Sequence, residues 1–267
     1  ENREDGIFYD PDKLHRLDHR GEHFSVRGPL TIHRSPQGRP VIVQAGQSEE
    51  GRTLAAQTAE VIFTVQQNFD DACAFYADIK SRAVAAGRAP EEILVMPGLL
   101  PVIGITRREA EEKLAEINAL IHPDVGIDRL SNIRGVDLSD YPLDGPLPEI
   151  PPGKEQQGRQ KVVIDLARRT DMTISQLYMA VTGVRGHRVL CGTAAEIADS
   201  MEEWVDGGAA DGFNIMSLTY PSELDEFVDQ VIPVLQQRGL YRTEYEGRTL
   251  RENLGLPVPG NRWTEAR

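Results

Sequence analysis

The stretch PVIVQAGQSEEGRTLAA, residues 40–56, decides the fold prediction. It places a short β-branched run directly before a glycine-containing turn, and an alanine-rich, helix-competent segment follows the turn. This order predicts a buried strand that passes through a turn into a helix. Such a turn gathers backbone N–H groups and the positive end of the helix dipole at one point, where an anion binds favourably.

The same strand-to-helix order recurs along the chain. The third predicted strand contains two prolines, so we expect it to be bent or interrupted. Capping boxes at Thr106 with Glu109 and at Thr193 with Glu196 each predict the start of a helix. The alternation predicts an α/β fold with a parallel sheet of about four core strands. These strands are predicted at residues 41–45, 61–65, 93–106 and 211–216.

Composition narrows the class of protein. The 267 residues include 42 acidic and 29 basic side chains, and the formal charge of −13 argues against binding to nucleic acid or to an anionic membrane. No apolar run approaches the ~18 residues that a membrane span needs. The first ten residues are too charged for a signal peptide, so we expect a cytoplasmic enzyme. Cys73 and Cys191 are expected to be buried thiols.

The turn after the first strand is the leading candidate site. Gly46 removes a side chain that would block close approach, and Ser48 can cap the helix while donating its hydroxyl. Gly51 and Arg52 are expected to add room and positive charge. From spacing alone, an ordinary turn with an N-cap is the simpler explanation, because neither the dinucleotide nor the triphosphate glycine motif is complete.

The histidines offer two further candidates. His15, His19, His23 and His33 lie close together in sequence, but no cysteine or regularly spaced third ligand accompanies them. We therefore predict solvated histidines and no metal. His187 precedes a short apolar pair and is expected either at the mouth of the sheet or, more simply, in a surface loop.

Two regions depart from the alternation. Residues 1–39 are polar and punctuated by proline and glycine, which predicts a hairpin or insertion. Residues 122–160 are rich in proline, glycine and aspartate, which predicts a long insertion loop. That loop is interpreted either as a lid that selects substrate or as a surface wrap that contributes to subunit contacts.

Several longer blocks, in order along the chain, resemble the flavin-dependent monooxygenases of the nitrilotriacetate monooxygenase type, within the bacterial luciferase-like superfamily. The most extensive is PQGRPVIVQAGQSEEGRTLAAQTAEVIF at residues 36–63. The others are VRGPL at 26–30, YPLDGPLP at 141–148, GTAAEIADSMEEWVDGGAADGFNI at 192–215 and VIPVLQQRGLYRTEYEGRTLRENLGLP at 231–257.

The resemblance implies a (β/α)₈ TIM barrel that takes reduced FMN from a separate NAD(P)H flavin reductase. The family uses O₂ on a small organic substrate, and a homo-oligomer is expected. The turn Gln44-Ala45-Gly46-Gln47-Ser48 resembles the one that holds the flavin phosphate. The family pattern has a second serine or a similar small residue where this chain has Gln47, so the resemblance favours Ser48 as the phosphate contact.

The resemblance also implies that residues 1–267 form a single luciferase-like domain with an incomplete barrel. The family's first four strands have no counterpart before Glu1, so we expect the C-terminal part of a family member. The family's flavin-ring contacts, and the histidine and tyrosine that it places near the isoalloxazine and phosphate, come largely from the other part, and no catalytic residue is assigned. Two alternatives stay open: a non-catalytic fragment that acts as an assembly or binding module, and a deazaflavin-dependent relative.

Overall fold

The computed structural model describes residues 2–148, 163–164, 166–167, 169–183, 186–261 and 263. The chain divides into two compact units, Glu1–Val41 with Glu246–Arg267, and Ile42–Tyr245. The strands are β1 His19–Arg20, β2 Ser25–Val26, β3 Val43–Gln44, β4 Val61–Thr64, β5 Leu94–Ile103, β6 Arg188–Gly192 and β7 Asn214–Ile215. The helices are α1 Glu49–Thr58, α2 Phe69–Ala85, α3 Arg107–Ala119, α4 Pro123–Arg134, α5 Ile174–Thr182, α6 Ala194–Asp206, α7 Ser222–Glu226, α8 Ile232–Gln237 and α9 Leu250–Asn253.

The smaller unit contains the antiparallel pair β1–β2 and the short helix α9. Among the described residues of this unit, Arg251 has the best-buried side chain, at 0% exposure. The guanidinium donates to the backbone carbonyls of Arg39 at 3.3 Å, Pro40 at 3.2 Å and Pro257 at 3.3 Å. A buried arginine needs such acceptors, so these bonds join the unit's two chain segments.

The larger unit is built on a parallel sheet. Among the described residues, this sheet has five strands, in the order β3-β4-β5-β6, with β7 also paired to β5. Ile62 and Val95 lie side by side in register and pack with residues of α1 and α2. These helices therefore cover one face of the sheet, as expected when strands and helices alternate.

Strand β5 is continuous over ten residues. The sequence predicted either a bend or an interruption at its prolines, and the interruption is therefore wrong. The N–H of Leu94 donates to a backbone carbonyl just before β4 at 2.9 Å, and the N–H of Gly104 donates to a backbone carbonyl of β6 at 3.1 Å. These donors are even-numbered, and successive N–H groups of a strand point to opposite edges. Pro97 and Pro101 are odd-numbered, so their missing N–H groups fall on the other edge, where β7 is only two residues long.

Two further sequence predictions were wrong in detail. Arg188–Gly192 was not counted as a strand, but it forms β6 along the second half of β5. Part of the predicted long loop is the helix α4, which carries Pro123 in its first turn and ends at Gly135 with a positive φ of 69°. Residues 149–160 of that predicted loop lie outside the described residues.

The predicted helix starts are confirmed. Thr193 accepts from the N–H of Glu196, whose carboxylate accepts from the N–H of Thr193, so the capping box of α6 is complete. Thr106 caps α3 in the same way, but the Glu109 carboxylate accepts from Ile105 instead.

In the described part of the chain, no helix is long and apolar enough to cross a bilayer.

Candidate functional site

The turn between β3 and α1 has the geometry of a capped helix end. The Ser48 hydroxyl oxygen accepts from the N–H of Gly51 at 3.1 Å, and the side chain is exposed. Because the oxygen acts as the acceptor, the hydroxyl hydrogen stays available for a ligand. The N–H groups of Glu49 and Glu50, in the first turn of α1, have no acceptor within the helix. This end of α1 therefore presents donors to an anion.

Gly46 and Gly51 bring the turn and the helix into direct contact. A Cβ added to Gly46 would lie 3.1 Å from the Cα of Gly51, and a Cβ added to Gly51 would lie 3.1 Å from the Cα of Gly46. At both positions a side chain would be tighter than ordinary van der Waals contact, so the backbone of the other glycine would have to shift to admit it. The expectation that Gly51 adds room for a ligand is corrected, because that space is filled by the backbone of Gly46.

The remaining turn residues are held by local and strand contacts. The N–H of Gly46 donates to the side-chain oxygen of Gln44 at 2.9 Å, so this amide is engaged within the turn. The side-chain amide of Gln47 donates to the carbonyl of Val65 at 2.9 Å and to the hydroxyl of Thr64. Gln47 therefore fixes the turn to the end of β4, while Ala45 and Ser48 are exposed.

Arg52 does not face the turn's outer side, which corrects the expectation that it adds positive charge there. Its Nε donates to the carbonyl of Gln47 at 2.9 Å, and its terminal nitrogen bonds Asp78 at 3.1 Å. Arg82 binds the Glu49 carboxylate at 2.7 and 3.0 Å, and this hydrogen bond lowers the pKa of Glu49. Glu49 is thus an ion-paired carboxylate at the helix end.

The end of β4 contributes two buried polar residues that the sequence prediction did not include. Thr64 is 2% exposed and Gln66 is 7% exposed, and the Gln66 amide donates to the Thr64 hydroxyl oxygen at 3.0 Å. Their position at the carboxyl end of a parallel strand is where barrel enzymes place their sites. That position was the sequence signal that could have identified them.

His187 is buried, so its assignment to a surface loop was wrong. The imidazole is 5% exposed and stacks on the ring of Phe63 in β4, with centroids 4.9 Å apart and ring planes 13° apart. The carbonyl of the preceding Gly186 accepts from the side chain of Gln67. These contacts place His187 beside the end of β4, as the alternative prediction at the mouth of the sheet required.

The other histidines and the cysteines have different surroundings. His15 stacks on Trp263 with centroids 4.7 Å apart. Within the described ranges, no three His, Cys, Asp or Glu side chains lie close enough together to hold a metal ion. Cys73 and Cys191 are free thiols and only partly buried, and burial raises the pKa of Cys191.

Comparisons with known proteins agree with this architecture. The family model described as luciferase-like monooxygenase matches residues 10–211. The chain is 51% identical over 267 residues to N-acetyl-S-(2-succino)cysteine monooxygenase of Bacillus subtilis, covering 99% of this chain and 60% of that protein. It is 50% identical over 252 residues to nitrilotriacetate monooxygenase component A of Aminobacter aminovorans, covering 94% of this chain and 56% of that protein.

A solved structure of riboflavin lyase, with modified FMN and riboflavin, superimposes with a TM-score of 0.77 at 33% identity, covering 95% of this chain and 56% of that one. The chain thus spans a little over half the length of the relatives it matches. The parallel sheet with its helices is the corresponding part of a luciferase-like barrel. The length of the matched region and the high identities together show that the chain belongs to the luciferase-like monooxygenase family.

Proposed function

We propose that this chain carries the FMN phosphate site of a two-component monooxygenase that uses reduced FMN and O₂ on a small organic substrate. A separate NAD(P)H flavin reductase supplies the reduced flavin. In this proposal Ser48 and the first-turn amides of α1 hold the phosphate, and Gln44, Ala45, Gly46 and Gln47 shape the turn. The activity is that of a whole protein, of which the chain matches a little over half in its relatives.

The helix end at Ser48 is the observation that carries the proposal. The exposed hydroxyl and the N–H groups of Glu49 and Glu50 converge beyond the end of β3. The close contact between Gly46 and Gly51, which a Cβ on either residue would tighten, packs the turn against the start of α1. Phosphates bind at helix ends because the donors and the helix dipole act together.

The relatives support the choice of cofactor and reaction. One relative is named as component A of nitrilotriacetate monooxygenase, and a structural neighbour contains a modified FMN. When bound, reduced FMN supplies the chemistry with O₂, and the protein supplies binding, orientation and exclusion of water. Here the hydrogen bond from Gln47 to Thr64 positions the proposed phosphate-binding turn, residues 44–48, against the end of β4.

Several finer features belong to the same proposal. We infer that residues 1–267 belong to one luciferase-like domain, with residues 1–39 as a hairpin or insertion and the segment around α4 as a lid or subunit contact. A cytoplasmic location agrees with the free thiols Cys73 and Cys191, and the homo-oligomer is proposed from the family resemblance.

An anaerobic titration of the purified protein with reduced FMN tests the proposal. Calorimetry should show saturable binding with a stoichiometry near one, and reduced riboflavin should bind more weakly because it lacks the phosphate. The same complex, mixed with O₂ and nitrilotriacetate or another polycarboxylate, is then assayed for oxygen incorporation. Failure to bind reduced FMN at any concentration tested would overturn the proposal.

A further inference from the structure

The carboxylate of Glu49, the first residue of α1, is held to the side of the helix. Arg82 of α2 donates to both of its oxygens, at 2.7 and 3.0 Å. One of the same guanidinium nitrogens also donates to the hydroxyl of Thr53 at 3.1 Å. Thr53 lies four residues after Glu49, about one turn further along α1. The carboxylate therefore lies along the flank of the helix and not over its first N–H groups.

The guanidinium of Arg82 is itself fixed by both helices. Its Nε donates to Asp78, one turn earlier on α2, at 2.8 Å, and its other two nitrogens bond Glu49. A planar guanidinium that meets two carboxylates in this way has a single favourable orientation. Arg82 is thus engaged in holding Glu49, and the pair joins the start of α1 to the middle of α2.

A released Glu49 carboxylate would interfere with an anion at the end of α1. Its ordinary pKa of 4.5 is lowered further by the hydrogen bond from Arg82, so it is ionised at neutral pH. A carboxylate in the first turn of a helix is attracted by the free N–H groups and by the helix dipole. It would therefore compete with a phosphate for the same donors and repel the charge of the phosphate.

We propose that Arg82 is a positioning residue for the phosphate site, acting through Glu49, an inference that rests on the proposed function. By holding the carboxylate beside Thr53, Arg82 leaves the donors at Ser48 and in the first turn of α1 to the phosphate. Riboflavin lacks that phosphate, so the ion pair contributes to the preference for FMN and not to the binding of the ring system.

Anaerobic calorimetry with reduced FMN and reduced riboflavin tests the proposal. Arg82→Met should weaken FMN binding about three- to tenfold and leave riboflavin binding unchanged. A second substitution, Glu49→Gln, should restore FMN affinity in Arg82→Met. Glu49→Gln alone should stay within about twofold of the unaltered protein, because the carboxylate is already held aside.

The combination of variants separates positioning from a general effect of charge. If the two residues acted only through their charges, Glu49→Gln alone would strengthen FMN binding as much as Arg82→Met weakens it. Additive effects of this kind overturn the proposal. Glu50→Gln removes a charge from the next, exposed position and is the matched control. Equal rescue of Arg82→Met by Glu50→Gln, or no rescue by Glu49→Gln, also overturns the proposal.

A second ion-paired arginine controls for stability. Arg238, just after α8, bonds Asp199 at 2.6 Å and Glu202 at 2.8 Å on α6, and it is 29% exposed against 27% for Arg82. Arg238→Met should lose its ion pairs without changing FMN affinity. Urea denaturation establishes that each variant is folded, and Arg82→Gln replaces Arg82→Met if the latter does not fold.

The unaltered protein distinguishes failure of this proposal from failure of the proposed function. Reduced FMN that binds no more tightly than reduced riboflavin overturns the phosphate site itself. Preferential binding of FMN that is the same in Arg82→Met preserves the phosphate site and overturns the role of Arg82.

Discussion

The side-chain amide of Gln47 donates a hydrogen bond to the backbone carbonyl of Val65 over 2.9 Å. Gln47, three residues after β3, is thereby tied to Val65, the residue after β4, so a hydrogen bond links the ends of two adjacent parallel strands. A polar side chain that sequence comparison placed beside the phosphate is instead used to position the turn. The phosphate contacts proposed here fall to Ser48 and the helix end.

Gln47→Leu should lower both stability and flavin affinity. It removes the donors to Thr64 and Val65, which we expect to cost about 1–3 kcal/mol of unfolding free energy, because partly buried acceptors lose their partners. Urea denaturation and FMN titration measure the two effects. The control is Gln57→Leu on the exposed face of α1. Equal stability and equal affinity in the two variants would refute the bracing role of Gln47.

Gly51→Ala separates packing from helix propensity. Propensity alone predicts a gain of roughly 1 kcal/mol, since alanine is the better helix former. The 3.1 Å approach of the new Cβ to Gly46 predicts a net loss of about 1–2 kcal/mol, because the turn must move away from α1. Thermal or urea unfolding decides between the two signs, and a more stable variant would show that the contact is unimportant.

The sequence predicted the fold better than it predicted the contacts around the site. Residues 61–65 were identifiable as a strand because their β-branched residues form a compact apolar run. Arg188–Gly192 was missed because its residues are mostly only half-buried, so the apolar signal is short. The helix α4 was missed because Pro123 and Gly126 suggest a loop, although proline at a helix start is favourable.

At the site, the local sequence pattern predicted the turn. Long-range contacts determine which partners the side chains of the turn bind. The N-cap of Ser48 depends on residues three positions away, so spacing predicted it. Arg52 bonds Asp78, and Gln47 bonds Val65. Both partners lie outside the turn, so no local sequence pattern predicts these contacts. The burial of His187 likewise depends on Phe63 and Gly98, which only the folded sheet brings near it.

Glu196→Gln should reduce the loss of stability in acid. The hydrogen bond from the Thr193 N–H, and then that from Arg107, lowers the pKa of Glu196 below 4.5 in the folded protein. Its ionised form therefore stabilises the fold above pH 4.5, and this contribution is lost as the pH falls through the folded pKa. Glutamine keeps the capping acceptor but does not titrate there.

Urea denaturation at a series of pH values between neutrality and about pH 3 measures this effect. The unaltered protein should lose stability more steeply below pH 4.5 than Glu196→Gln does. Glu116→Gln, at an exposed position of α3, serves as the control and should follow the unaltered protein. Parallel curves for all three proteins would show that Glu196 contributes nothing to acid sensitivity.

The comparison of FMN with riboflavin in Ser48→Asp tests the central claim most directly. Aspartate is as good an N-cap as serine, so stability should stay within about 0.5 kcal/mol, while its charge repels a phosphate. FMN affinity should fall by at least about tenfold with riboflavin affinity unchanged, and Thr106→Asp, at the cap of α3, should change neither. Unaltered FMN affinity in a folded Ser48→Asp protein would contradict the assignment of the phosphate to this turn.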